Sequence, residues 1–367
     1  MSRFKERIKK QIHLLQQKDT AELRRFQREL FGGENAIQVQ EEHHRWLFDE
    51  NPYNGNSPPQ FWIYRDNEGK IQGQQAGIPY LLQIGERVWR ASWGIDLMVS
   101  PLLQARGIGA VLNELYVQQN EVTTAVGITE AAQKAHRRAG WLDLGTIPLY
   151  ARPLSTAGIQ AGFPEGSPKG TIAAIAGYPL LCLAESIWKS YASGKKARLL
   201  PVTRFDERSD AVWKSASRDY PVLAQRDLKY LRWRFDLAPS RADYQRYYYY
   251  EGEDLKGYAV IRFGKRGDRP AALLSDFLCP AFCQKALLAL VIHAARTGGA
   301  NDLHCAVLSP HLREKEMKML GFIPLPLRSH FMAIPAAENG PDRALLSNPN
   351  NWFITMANSD MEWMYLD

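Results

Sequence analysis

An octapeptide that occurs twice constrains this chain more than any other feature. Arg45-Trp46-Leu47-Phe48-Asp49-Glu50-Asn51-Pro52 and Arg232-Trp233-Arg234-Phe235-Asp236-Leu237-Ala238-Pro239 both read R-W-x-F-D-x-x-P. After the first copy come a strand pattern at Phe61 to Arg65, a turn at Asp66-Asn67-Glu68-Gly69 and a second strand from Ile71. After the second come Tyr244 to Tyr250, the turn Glu251-Gly252-Glu253-Asp254 and Lys256 to Phe263. Aromatic and β-branched runs that end at an acidic glycine turn are the signal of a β-hairpin. Each half then runs from strand through proline into a helix, at Met98-Val99-Ser100-Pro101 and at Phe277-Leu278-Cys279-Pro280. Further on, Ala139-Gly140-Trp141 is answered by Leu320-Gly321-Phe322. Three anchors in one order at nearly constant separation argue for two copies of one α+β domain.

A chain of 367 residues has room for two such domains and a remainder. The expected division is a first domain over 10–153, a linker with a helix over 154–197 and a second domain over 198–367. Ser155 to Lys169 is rich in Gly, Pro, Ser and Thr, and Leu180 to Tyr191 has helical apolar spacing. A second Pro/Asn-rich stretch, Pro335 to Asn351, precedes a final strand pattern at Trp352 to Thr355. In the run Tyr247 to Tyr250, strand alternation predicts that half of the rings face outward or lie at a domain interface.

Composition excludes several classes. Hydrophobic residues make up 45% and charged residues 23%, which is globular usage and not that of a disordered chain. The net charge of +7 is a mild basic bias, which argues against a chain built to coat nucleic acid. Cys182, Cys279, Cys283 and Cys305 show neither disulfide pairing nor zinc spacing, so no metal is expected and the thiols read as reduced. The longest apolar stretch, Ala286 to Ala295, is far short of the ~20 residues that span a bilayer. The basic N-terminus lacks an apolar core, so no secretory signal is read and a cytoplasmic location is expected.

The chemistry-bearing segment is Gln104-Ala105-Arg106-Gly107-Ile108-Gly109-Ala110, between Pro101 and a helix carrying Val111, Leu112, Leu115 and Tyr116. Glycines at 107 and 109 let the backbone approach a ligand closely. The helix start adds unpaired N–H groups and a positive dipole end, so the turn is suited to a pyrophosphate. Arg106 supplies a formal charge. A short glycine loop also serves as a plain strand-to-helix turn. It lacks the third glycine of a dinucleotide fold and the Gly-Lys-Ser/Thr of a P-loop, so neither of those readings holds.

At these residues the chain resembles the GNAT superfamily of acyl-CoA-dependent N-acyltransferases, whose pyrophosphate loop reads R/Q-x-x-G-x-G/A. Gln104 to Gly109 fits that pattern, and Asp96-Leu97-Met98-Val99 stands as the preceding strand end. The resemblance covers roughly residues 10 to 153 and continues, weakened, in the second half. It implies two GNAT-like domains in tandem, each a mixed, mostly antiparallel twisted sheet flanked by helices. It also implies acetyl-CoA or another acyl-CoA as co-substrate. The backbone of Leu97, Met98 and Val99 would pair with the pantetheine arm. The N–H groups of Ala105, Arg106, Gly107, Ile108, Gly109 and Ala110 would hold the pyrophosphate, with Gln104 opening the coenzyme-binding loop.

An acceptor amine would then attack the thioester directly in a gap beside Val99. Positioning carries most of such a rate, with a backbone N–H polarising the carbonyl. Many members place a Tyr acid four residues before the glycine at the end of the fourth helix. Here that position is His136, a group able to carry a proton. Some members carry a catalytic Glu on the fourth strand, and here that position is Trp93. Asp96 and Glu130 are the other candidate proton carriers, and Tyr150 is a further acid candidate. Trp46, Asn51, Tyr53, Trp62 and Trp93 are candidates to line an acceptor site. The adjacent His43 and His44 point apart and are not read as metal ligands.

In the second half, Ala286 and Leu288 stand where the first has Gly107 and Gly109. Their side chains would crowd a diphosphate, so that copy is read as degenerate. The leading function is N-acylation of a small-molecule primary amine. Within the superfamily, the repeat resembles bacterial proteins of polysaccharide or cell-envelope biosynthesis, which suggests an amino sugar. The alternatives are a Fem-like aminoacyl transferase and a catalytically silent scaffold that binds coenzyme or a partner.

Overall fold

A computed structural model describes residues 2–33, 36–55, 57–336, 340–363 and 365–366. The elements of the first part of the chain run α1 (Ser2–Lys9), β1 (Ile12–Leu14), α2 (Thr20–Phe31), α3 (Glu41–His44), β2 (Phe61–Arg65), β3 (Ile71–Ile84), β4 (Arg87–Val99), α4 (Ile108–Val117), β5 (Val122–Val126), α5 (Glu130–Arg138) and β6 (Leu142–Pro153). The chain continues through α6 (Thr156–Gln160), α7 (Pro168–Gly194), β7 (Ala197–Val202), α8 (Arg208–Ala216), β8 (Val222–Ala224), α9 (Leu228–Leu231), β9 (Tyr244–Glu251), β10 (Asp254–Arg266) and β11 (Arg269–Leu278). It ends with α10 (Gln284–Thr297), β12 (Asp302–Leu308), α11 (Glu314–Met319), β13 (Ile323–Pro335), α12 (Arg343–Ser347) and β14 (Trp352–Thr355). The hairpins read from the sequence are β2–β3 and β9–β10, both antiparallel.

The R-W-x-F-D segments adopt the same uncommon conformation. Arg45–Asp49 and Arg232–Asp236 are each one π-helical turn. In the first, the Glu50 N–H reaches back to the Arg45 carbonyl at 2.9 Å. Such turns are rare and locally wider than an α-helix. Here they bury Trp46, Leu47 and Phe48, and Trp233 and Phe235.

Packing divides the chain into two compact units that are interleaved in sequence. Unit 1 holds Met1–Gly145, Leu237–Pro239 and His330–Ser347; unit 2 holds Thr146–Asp236, Ser240–Ser329 and Asn348–Asp367. These differ from the end-to-end blocks 10–153, 154–197 and 198–367, and the cause is strand pairing. In unit 1, β5 pairs antiparallel with the end of β13, Phe331 facing Val126 and Pro335 facing Val122. In unit 2, β12 pairs antiparallel with β6, Asp302 facing Pro153 and Ala306 facing Leu149. The strand that follows Gly140 therefore closes the second sheet, and the one that follows Gly321 closes the first.

Both sheets are mixed. In unit 1, β1, β2, β3 and β4 are antiparallel neighbours and β4–β5 is parallel. In unit 2, β7, β9, β10 and β11 are antiparallel neighbours and β11–β12 is parallel. The tyrosine run departs from simple alternation. Tyr248 and Tyr249 are both fully buried, because the β9–β10 sheet is covered on both faces. Tyr248 meets Ser209 of α8, its hydroxyl 2.8 Å from the Ser209 hydroxyl, and Tyr249 turns the other way to donate to Glu251 at 2.7 Å.

The reading of the apolar segments also needs correction. Helix α7 is 27 residues long and, by length and composition, apolar enough to cross a membrane. The helical spacing at Leu180 to Tyr191 marks only its second half, because Pro179 and Glu185 interrupt the apolar run.

Candidate functional site

In unit 1, β4 and β5 are paired only at Ala91, Ser92 and Trp93, which face Val122, Thr123 and Thr124. Beyond Trp93 the two strands separate, and β5 completes its pairing with β13 at Ala125 and Val126. From Gly94 to Val99, β4 stays paired on its β3 side alone among the described residues. Local sequence causes the opening. Ile95 faces Ala76 and Met98 faces Gln74, so Asp96 and Leu97 together oppose Gln75 in a β-bulge. Asp96 takes φ +52, the left-handed region that Asp tolerates better than most residues. Two side-chain amides satisfy the disturbed carbonyls: Gln75 Nε2 donates to Ile95 O at 3.0 Å, and Gln74 Nε2 donates to Asp96 O at 3.2 Å.

Helix α4 is fixed over this opening. Ile108, Val111 and Leu112 pack with Ile8, Ile12 and Tyr64, against Leu97 and Val99 of the opened strand. Lys9 and Lys5 of α1 both pair with Glu114 of α4. Gly77 and Gly94 face each other across β3 and β4, and the ring of Tyr116 lies on both. A side chain at Gly77 would overlap that ring.

The turn from β4 into α4 is a shallow nest. Ala105 has φ +61 and Gly107, the N-cap of α4, has φ +75. Among the described residues, no backbone acceptor takes the N–H of Ala105, Arg106, Gly107, Ile108, Gly109 or Ala110. A Cβ on Gly107 would meet nothing within 4 Å, so its glycine is required for conformation rather than space. A Cβ on Gly109 would meet only Val99 and Leu97 at 3.7 and 3.9 Å. Gln104, exposed like Arg106, donates from Nε2 to the Val99 carbonyl at 3.3 Å, tying the loop to the strand end. Concave runs of free N–H groups at a helix start are anion sites. Leu97, Met98 and Val99 are half-buried beside this nest.

The other predicted residues are more scattered. His136 is buried, its ring centroid 4.2 Å from that of Trp141, and burial lowers its pKa to about 4. The ring is therefore neutral at pH 7. Glu130 is exposed in the first turn of α5 and pairs with Lys134 at 2.9 Å. Trp93 is buried and stacks on Tyr80 at 5.2 Å. Trp46 is buried against His43, and Trp62 is half-buried against the cluster under α4. Asn51 is buried as a brace: its amide donates to Pro79 O at 3.2 Å and its Oδ1 accepts the Tyr53 N–H at 2.8 Å. Tyr53 is half-buried, and Tyr150 is buried in unit 2.

A cleft of about 760 Å³ in unit 1 is lined by His44, on the helix expected to edge a cleft, and by Lys18, Arg24, Glu41, Arg45 and Asp49, which the sequence reading did not single out. Burial lowers the pKa of His44 as well. The signal lay in the repeat itself, since Arg45 and Asp49 are its first and fifth residues. No group of three or more His, Cys, Asp or Glu side chains placed to hold a metal occurs among the described residues.

A parallel strand pair that opens at a bulge, followed by an N–H-lined turn into a helix, decides the fold. The chain has a GNAT-like fold. Solved structures agree. A GCN5-related N-acetyltransferase from Anabaena variabilis matches with a TM-score of 0.57 at 13% identity, over 88% of this chain and 71% of that one. One from Kribbella flavida matches with a TM-score of 0.58 at 11% identity, over 88% and 70%. Saccharomyces cerevisiae N-myristoyltransferase with bound myristoyl-CoA matches with a TM-score of 0.55 at 12% identity, over 88% and 82%. No family model and no curated protein matches the sequence. At these identities the GNAT-like likeness concerns the fold.

Proposed function

We propose that this chain is an N-acyltransferase that moves an acyl group from acyl-CoA to a primary amine by direct attack. The observation that carries the reading is the opened edge of β4 running straight into the N–H nest at the start of α4. The pantetheine arm would add to the free edge at Leu97, Met98 and Val99, and residues 104–110 would hold the pyrophosphate. The amine nitrogen bonds to the thioester carbon, the C–S bond breaks, the coenzyme leaves as thiolate and takes a proton, and the ammonium loses one.

Asp96 is the sole titratable side chain on the opened stretch 94–99, so we assign it the base role, acting through water. His136, neutral and packed against Trp141, and Glu130, paired with Lys134, are assigned to packing and to the helix start. The acceptor amine would enter beside the opened edge of β4 at Val99, and an amino sugar is the first acceptor to test. We further propose that the two halves are tandem copies, the second degenerate, and that the enzyme works in the cytoplasm.

The test is release of free coenzyme thiol from acyl-CoAs of two to fourteen carbons, against a panel of amino sugars, amino acids and peptides. Turnover with one amine supports the reading. Coenzyme binding without turnover on any amine turns it into a scaffold, and dependence on aminoacyl-tRNA turns it into a Fem-like transferase. Asp96→Asn, which suits the same backbone, is expected to lower kcat by about 10²-fold and leave coenzyme affinity unchanged.

A further inference from the structure

Helix α7 of unit 2 is apolar on nearly every face, and a helix of that kind is normally buried. Only 11% of its most apolar window is buried. Its inner face, with Gly170, Ala174, Glu185 and Ala192, packs against α6 and α10. Its outer face carries Ile172, Ile175, Leu180, Leu183 and Ile187, exposed by 67%, 70%, 67%, 59% and 59%. At 100° per residue these five fall on one side, along roughly 22 Å of helix. The apolar surface continues past Tyr191 to Phe282, which is 63% exposed and lies under Lys195 Nζ at 5.3 Å. A contiguous patch of this kind marks an interaction site.

Charge indicates what covers it. Between Gly170 and Ser190 the one carboxylate is Glu185, and it is buried on the inner face, 2.6 Å from Arg296. Lys169 stands at one end of the stripe; at the other stand Lys196, Lys195, which is paired with Glu251 at 3.3 Å, and Lys189, whose Nζ lies 3.3 Å from His293 Nε2. Apolar side chains flanked by lysines, with the exposed Tyr191 at the basic end, have the composition of a helix lying in an interface. The Glu185–Arg296 pair and the bond from Trp188 Nε1 to Met319 O at 2.8 Å fix α7 along the protein, which argues against a helix that crosses a bilayer.

We propose that the outer face of α7 docks the protein on an anionic lipid surface. This inference is independent of the coenzyme loop. The experiment is flotation of the full chain with vesicles of phosphatidylcholine alone and of phosphatidylcholine with 30% phosphatidylglycerol, at low and at physiological salt. The expected result is binding to the anionic vesicles, weakened at least tenfold without phosphatidylglycerol. Leu180→Glu with Leu183→Glu should abolish it with the melting temperature unchanged, and Lys189→Glu with Lys196→Glu should weaken it about tenfold. No flotation of the wild-type chain overturns the proposal. So does a dimer in sedimentation equilibrium that Leu183→Glu returns to monomer, because a second copy then covers the stripe.

Discussion

The turn from β4 into α4 and the turn from β11 into α10 start from the same plan and finish differently. Both follow a bulged strand that is paired in parallel with its neighbour over a short stretch. That stretch is Ala91 to Trp93 in unit 1, and Ala272 and Leu273 in unit 2. In unit 1 the freed edge and the N–H groups beyond it are left to solvent. In unit 2 the chain fills both places itself. Strand β14 pairs with β12, Thr355 facing Val307, and the Ala357 N–H donates to Ser275 O at 2.8 Å on the bulge of β11. In the turn before the helix the Asp219 carboxylate accepts the Ala281 N–H at 2.8 Å, so an internal anion ties down that turn. Ala286 and Leu288, in place of glycines, are fully buried. An open turn and a structural core can therefore be made from one plan, according to whether the chain supplies its own occupant.

The sharpest test of that contrast is Gly107→Trp. It places a bulky side chain at φ +75 inside the nest, and acyl-CoA binding should be abolished by calorimetry while the circular dichroism spectrum is retained. The wild-type chain should bind one coenzyme per chain. Two per chain would break the comparison, because the filled turn of unit 2 would then be a site.

The next effect falls on the filled side. Arg226 and Asp276 are 0% exposed and meet at 3.1 Å. Tyr258 and Thr355 donate to the same carboxylate, each at 2.7 Å, and Arg226 donates to Asn358 Oδ1 at 2.8 Å. This network holds the C-terminal segment in the opening. Asp276→Ala leaves a buried guanidinium without its counter-ion, and should cost about 3–5 kcal/mol in urea unfolding. Asp96→Asn, in the open counterpart, should change stability by less than about 1 kcal/mol.

The position of His136 sharpens the contrast by about 2–3 kcal/mol. Its counterpart is Met317, fully buried, and the two helix ends match: Trp141 N–H to His136 O at 3.1 Å, and Phe322 N–H to Met317 O at 3.0 Å. Gly140 and Gly321 follow with φ +86 and +83. The folded His136 pKa of about 4 lies below the ordinary 6.5, so the unfolded chain takes up its proton first as pH falls. The contribution of this group is complete above about pH 6.5 and is lost toward pH 4. His136→Met should flatten the pH dependence of stability in that window by about 2–3 kcal/mol and leave kcat in place. A 10²-fold fall in kcat would return the proton role to His136.

The parts legible in the sequence are those whose signal is local. Phe61 to Arg65 is an aromatic and β-branched run that leads into the acidic turn at Gly69, and the structure places a strand at Phe61–Arg65. Gly107 stands between a strand pattern and a helix pattern, and the structure gives it a positive φ. The exchange of β6 and β13 was not legible, because nothing in either strand states which sheet it completes. The extent of α7 was hidden by Pro179, and the burial of both Tyr248 and Tyr249 by a second covered face. Trp352 to Thr355 was legible as a strand, but its seat beside β12 depends on pairings more than forty residues away in sequence. Among the site residues, Trp46 and Asn51 gave no local sign that they face inward, since aromatic and amide side chains serve a cleft and a core equally well.

The smallest expected difference concerns the glycines under the two openings. A Cβ on Gly77 would overlap the Tyr116 ring, while one on Gly257 would meet Leu278 O at 2.5 Å and Cys279 Cβ at 2.6 Å. Either alanine overpacks a closed region and should cost about 1–3 kcal/mol. What separates them is the element displaced. Gly77→Ala pushes on Tyr116, and so on α4, whose first turn is the proposed coenzyme cradle. Its coenzyme affinity should fall several-fold along with its melting temperature. Gly257→Ala strains the end of β11, which has no free nest beyond it, so it should lower the melting temperature and leave coenzyme affinity as it was. Equal losses of affinity in both variants would mean that coenzyme binding reports global stability, and that the open and filled turns are not functionally distinct.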